Sequence, residues 1–247
     1  MSNYEVLSAA VHSDLRVITD CGELYDDNVQ YVLTYSLEFR NIQSCYPIFF
    51  AKHPEQDEYS PVALLGFEKD ENLFLEGDQW NASYVPMMVQ RQPFLIGNQV
   101  SADKVEKPVV SINMNSPRIS AEKGKNLFED NKQPSDYLTK IIHKLEALHH
   151  GSEHNKGFMS ALISNNLLEP FTLEIPLVNE SKNQLLGFHT INEQKLLELD
   201  GATLEEFNRQ GYLQPIYMAL ASYSRVRVLI EKKNARLSSE WSSKLKD

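Results

Sequence analysis

Several protein classes are excluded by what this 247-residue chain lacks. It has two cysteines, Cys21 and Cys45, without a Cys-x-x-Cys spacing. A disulfide framework and a zinc ribbon are therefore out, and the pair reads as two reduced thiols. Ten glycines form neither a GxxxxGK[ST] loop nor a GxGxxG turn, so no nucleotide cradle is expected. There is no GxSxG elbow, and neither cysteine sits in a local nucleophile signature. No window approaches the roughly 18 apolar residues that a membrane helix needs. The opening MSNYEVLSAAVHSDLRV shows no basic stretch followed by an apolar run, which predicts no signal peptide. Lys and Arg number 24 against 34 Asp and Glu, a formal charge of −10. That balance argues against nucleic acid or anionic lipid as main partners, since phosphate binding relies on clustered cations. Basic residues gather from Arg225 to Lys246, but interleaved acids make the run read as a solvated helix face. A cytoplasmic protein is expected.

Hydrophobic residues at 42% and charged residues at 23% suit a globular chain with a sizeable core. The first half reads as strands: PIFFA (47–51), VALLGF (62–67), NLFL (72–75), FLI (94–96) and VVSINM (109–114). A helix is predicted around Tyr31–Ser44 and must end before Pro47. PEQDEYSP (54–61), NQVSADKVEKP (98–108) and NSPRISAEKGKN (115–126) read as exposed loops. The second half reads as helical. Tyr137, Leu138, Ile141, Ile142, Leu145 and Leu148 trace an amphipathic stripe after Pro134, a first-turn residue. HHGSEHNKG should end that helix, with a second helix carrying Phe158, Leu162 and Ile163. FTLEIPLV (171–178) and QLLGFHTI (184–191) flank the turn NESKN as a hairpin. Asn192 and Thr203 look like N-caps, Thr203 with Glu206 as a capping box. One long helix, about Gln214 to Arg236, closes the chain. These elements predict an α+β fold, with a mixed or antiparallel sheet mainly from the N-terminal half packed against C-terminal helices. One domain over 1–247 is expected, with a conceivable subdivision near 115–133.

The stretch QWNASYVPMMVQRQPFLI (79–96) carries the sharpest question. Arg91 is the one cation in an otherwise apolar or neutral segment. If buried, its five donors need a carboxylate or carbonyl partner, and either a structural ion pair or a bound anion would serve. Glu38, between Leu37 and Phe39 on a helix that must bury one face, reads as a surface acid, a functional carboxylate, or the first candidate for that pair. Trp80 and Tyr84 could wall a ligand site, though large aromatics are more often core. His12 reads first as a satisfied structural histidine and second as a ligand or base. The weak metal candidates are His149, His150 and His154, grouped with Glu153, since imidazole plus carboxylate suits zinc or iron. Their order is not HExxH, and a polar helix end is the ordinary alternative. No cofactor is expected.

In order along the chain, NYEVLSAAVHSDLRV (3–17), LEFRNIQSCYPIFF (37–50), ALLGFEKDENLFLEGDQWNASYVP (63–86), RQPF (91–94) and NLFED (126–130) resemble the bacterial SapC family. So do ISNNLLEPFTLE (163–174), LLGFHTINEQKLLEL (185–199) and LEEFNRQGYLQPIYMALASYSR (204–225). This family is distinct from the peptide-transport permease of the same name. Its name comes from a bacterial surface-layer locus, and the resemblance implies an accessory protein of a cell-surface or outer-membrane system. It implies no catalytic residue and no cofactor. The family's middle signature has paired arginines and an aromatic before Pro-Phe. Here Gln90 and Gln92 flank a lone Arg91, which puts a two-arginine anion clamp in doubt. Three readings follow: a cytoplasmic binding or accessory protein handling a peptide or protein client; a peptide- or small-molecule-modifying enzyme with a non-standard site; and a structural subunit that forms a homo-oligomer through its C-terminal helix.

Overall fold

Most apolar runs of the first half become strands in a computed structural model that describes residues 3–53, 58–100, 106–176 and 182–244. The chain enters through β1 (Tyr4–Val6), α1 (Ala9–His12) and β2 (Arg16–Val17). β3 (Tyr31–Leu33), α2 (Phe39–Ile42), β4 (Ile48–Lys52) and β5 (Tyr59–Leu64) follow. Next come the short strands β6 (Leu75–Glu76) and β7 (Gln79–Trp80), the one-turn helix α3 (Met87–Gln90), and a long hairpin of β8 (Phe94–Val100) and β9 (Glu106–Asn113). β10 (Ile119–Ser120) and β11 (Lys125–Asn126) lead into helix α4 (Asp136–Ser164). A second long hairpin joins β12 (Leu168–Pro176) to β13 (Lys182–Ile191). Helices α5 (Glu193–Leu197), α6 (Gly201–Arg209), α7 (Leu213–Ser222) and α8 (Arg225–Lys244) complete the fold.

The protein is α+β, with antiparallel sheets. The main sheet runs β12-β13-β4-β5-β3, so the late hairpin supplies two of its strands. A smaller sheet runs β1-β9-β8, and β2 pairs with β10 and β11. Two apolar cores result. The larger gathers Ile48, Phe49, Phe50, Val62, Leu64, Phe158, Leu162, Ile216 and Leu229 beneath the main sheet. The smaller packs Val17, Phe94, Ile112 and Leu127 against Leu138, Ile141 and Leu145. Helix α4 serves both, its first half covering one core and its second half the other.

That helix continues through HHGSEHNKG, where the sequence predicts a break. Glycine costs a helix interior about 1 kcal/mol, but close approach explains it here. A Cβ on Gly151 would lie 3.2 Å from Cβ of Tyr35, and one on Gly157 only 2.5 Å from the Tyr212 hydroxyl. The N-cap is Ser135, whose hydroxyl accepts from Leu138 N–H, so Pro134 stands just outside the first turn.

Other expectations change for similar tertiary reasons. The helix expected over Tyr31–Ser44 splits into β3, a 3₁₀ turn at Ser36–Glu38 and the four-residue α2, because Tyr31–Leu33 pair with Leu64–Val62 at the sheet edge. NLFL is mostly a turn, with only Leu75 in a strand. NQVSADKVEKP belongs to the β8–β9 hairpin on both sides, while 101–105 lie outside the described residues. PEQD (54–57) also lies outside them, and Tyr59–Pro61 are strand. Of the expected turn NESKN, Lys182 and Asn183 belong to β13, and 179–181 lie outside the described residues. Asn192 does cap α5, but α6 is capped by Asp200 accepting from Thr203 N–H, not by Thr203. The closing helix breaks after Ser222. Ser222 accepts from Ile48 N–H and Tyr223 accepts from Ile191 N–H, which pins the chain to the sheet at the break. Within the basic run, Lys233 is buried against Glu68 and Glu71 rather than solvated, and 245–247 lie outside the described residues. Among the described residues, no helix is long and apolar enough to cross a membrane.

Candidate functional site

Glu38 and Arg91 do not meet. The 3₁₀ turn places Glu38 in the core at 1% exposure, facing the segment before α3. Its carboxylate accepts from the Tyr84 hydroxyl at 2.8 Å, Met87 N–H at 2.7 Å and the Thr34 hydroxyl at 3.0 Å. All three donors are neutral. Burial pushes the carboxyl above the ordinary glutamate range, and the hydrogen bonds pull back only part of that shift. Tyr84, beside that carboxylate and itself partly buried, is held above the usual phenol range. Trp80 and Tyr84 form no paired wall. Trp80 donates its indole N–H to the Tyr46 hydroxyl at 2.7 Å, and Tyr46 donates to the Tyr84 carbonyl. The aromatics thus join a hydrogen-bonded strut between β7, the segment before β4, and the start of α3.

Arg91 ends α3 and turns the other way, toward α4. Nη1 donates to the Phe94 carbonyl at 2.5 Å, and Nε approaches the Met88 sulfur at 3.3 Å. No carboxylate pairs with it among the described residues, and burial holds its pKa below the usual arginine range. It lines a groove of about 240 Å³ with Tyr35, Met88, Leu95, Leu148 and His149. This groove meets another of about 520 Å³, since Tyr35 and Ser152 line both. Together they follow one side of α4 from Leu145 to Ser164, about 28 Å at 1.5 Å per residue.

The buried arginine strut exists, but it is Arg118. The loop NSPRISAEKGKN, polar enough to read as fully exposed, carries Arg118 into the protein at 4% exposure. Its Nη2 reaches both carboxylate oxygens of Asp27 at 2.8 and 2.7 Å, while Nη1 donates to Asp20 and Ile18 carbonyls. Asp27 sits in the run Asp26-Asp27-Asn28, which carries no local mark of burial.

His12 is buried, with Nδ1 3.2 Å from both the N–H and carbonyl of Ser8. Its Nε2 lies 3.4 Å from a Glu5 oxygen but is not aligned for a hydrogen bond. It does not line the Arg91 groove. The metal candidates diverge around a continuous helix. His149 and His150 are exposed, while His154 contacts the Ser36 hydroxyl at 2.9 Å and the edge of Tyr212. Among the described residues, no group of three His, Cys, Asp or Glu side chains is placed to hold a metal ion. Tyr35, Ser152 and Lys144 line depressions that the sequence did not flag; only their fold neighbours mark them.

What these features define is an α+β protein on a five-stranded antiparallel sheet, with an arginine in a helix-side groove that no carboxylate pairs among the described residues. The chain belongs to the SapC family, whose model matches residues 7–229. No curated protein and no solved structure shows a significant match.

Proposed function

We propose that this chain is a cytoplasmic accessory protein of a bacterial surface-layer or outer-membrane system, and that it binds a peptide or protein client. The carrying observation is Arg91, a half-buried guanidinium without a carboxylate partner among the described residues, in the wall of a groove of mixed polar and apolar lining. A half-buried charge lacking a counter-charge favours an incoming anion, and guanidinium geometry suits a carboxylate. Apolar side chains beside it, Met88, Leu95 and Leu148, favour a client with an apolar residue next to that carboxylate. The adjoining groove lengthens the track along α4 enough for about eight extended residues at ~3.3 Å each. Surface-layer association rests on the family likeness alone.

Fluorescence anisotropy with labelled apolar octapeptides tests the reading. A free C-terminus should bind about 10- to 150-fold more tightly than its amide, the worth of one charge-assisted hydrogen bond. Arg91→Gln should erase that difference. Equal affinity of acid and amide for the wild type would overturn the proposal.

A further inference from the structure

Helix α3 has a second side. Val89, Gln90 and Gln92, on either side of Arg91, line a separate cavity of about 390 Å³ that shares no residue with the Arg91 groove. Its walls come from four distant stretches: 18–21, 83–92, Arg118 and 137–144. Ile141, also in this wall, belongs to the smaller core. The volume falls in the range of small-molecule sites, about 300–1,000 Å³.

The charge in this wall is one-sided. It holds Arg118 and Lys144 and no carboxylate, in a chain of net charge −10. Asp27 neutralises Arg118 from outside the cavity. Among the described residues, no carboxylate pairs with Lys144 in the same way. Burial and then Lys140, one turn earlier on α4, both hold its amine below the usual lysine range, and no acid offsets them. Neutral groups complete the lining. Burial raises the Tyr137 phenol to about 12, so it remains an O–H donor, and Thr19 and Gln92 add a hydroxyl and an amide. An anion entering beside Lys144 would restore stabilisation that its ammonium has lost; the acids felt in this wall, Asp27 and Asp20, act on Cys21, where Arg118 opposes them.

We propose that this cavity binds a small anion, a molecule bearing a carboxylate or phosphate group, with Lys144 as counter-charge and Tyr137 and Gln92 as donors. The site is independent of the Arg91 groove. Cys21 lies half-buried in the same wall and reports occupancy, while Cys45, buried and outside it, serves as the internal control.

The test is the rate of Cys21 alkylation by iodoacetamide, an uncharged reagent, followed by mass spectrometry at matched ionic strength. Sodium phosphate and sodium acetate are the two probes, and they separate the two anion chemistries. At least one should slow Cys21 alkylation several-fold in the wild type and in Arg91→Gln. The same anion should give no protection in Lys144→Met, and Lys144→Arg should restore it with the charge. Unchanged rates with both anions in the wild type would overturn the proposal. So would protection that survives Lys144→Met or disappears in Arg91→Gln, since either places the anion elsewhere. Because Lys144→Arg keeps the charge, loss of protection there as well as in Lys144→Met would refute the counter-charge role.

Discussion

Removing the Asp27 carboxylate asks directly which arginine is the buried strut. Arg118 and Asp27 are 4% and 3% exposed, and the Tyr25 ring lies 5.1 Å from the guanidinium centre. Asp27→Ala leaves that guanidinium charged, buried and held by two backbone carbonyls and the Tyr25 ring alone. It also strands Gly22 N–H, which donates to Asp27 at 3.0 Å. Breaking a buried pair from one side costs about 3–5 kcal/mol. For a chain of this size each kcal/mol moves Tm by about 2–4 °C, so the expected drop is about 6–20 °C. Arg91→Met is the contrast. It loses a bond to the Phe94 carbonyl but also removes a half-buried charge with no counter-ion, so its net effect should stay within about 1 kcal/mol. The double variant Asp27→Leu/Arg118→Met should recover much of the loss, because an apolar pair of similar volume leaves no charge stranded. Thermal and guanidinium unfolding followed by circular dichroism give all three values. A Tm for Asp27→Ala at or above that of Arg91→Met would refute the assignment of the strut.

Three further substitutions probe burial and packing. Burial raises the folded pKa of Glu38, so the folded protein keeps a proton that the unfolded chain releases. Its stability contribution is therefore most favourable below the unfolded value and declines as pH rises toward the folded one. Urea midpoints between about pH 4 and 7 should show Glu38→Gln gaining on the wild type as pH rises, and parallel profiles would count against a raised pKa. Gly157→Ala should lose about 1–3 kcal/mol despite its better helix propensity, because Tyr212, packed on Phe158 and Phe207, blocks the new methyl. Gly201→Ala meets nothing within 4 Å and should be neutral or slightly stabilising; the reverse order of the two midpoints would contradict the close-approach account.

Local patterns were legible wherever burial repeats at a fixed spacing. The stripe Leu138, Ile141, Leu145, Leu148 is buried as its periodicity demands, and the two runs expected to form a hairpin pair as β12 and β13. Failures came where tertiary contact overrode a local signal. Gly151 looked like a stop and is an approach point for Tyr35; Tyr31–Leu33 looked helical and pair with β5. In the candidate site, the sequence marked Glu38 as a carboxylate that could be buried and Arg91 as a cation needing a partner. It could not show that Glu38 bonds the start of α3 while Arg91, at its end, bonds Met88 and Phe94. Nor could it show that Arg118, inside a polar loop, is the arginine that a carboxylate neutralises.

The sequence by itself determined the α+β composition, the amphipathic helix, most of the strands and the family. These depend on residue type and spacing, which are properties of the chain taken in order. Only the tertiary structure decided how the charges pair and where the hollows lie. Asp27 is 91 residues from Arg118, and the Arg91 groove needs α3, β8 and α4 packed side by side. Charge pairing is a short-range effect in space that leaves no periodic trace along the chain. QWNASYVPMMVQRQPFLI therefore shows its two sides only when folded, with Arg91 toward α4 and its flanking glutamines toward the cavity of Lys144.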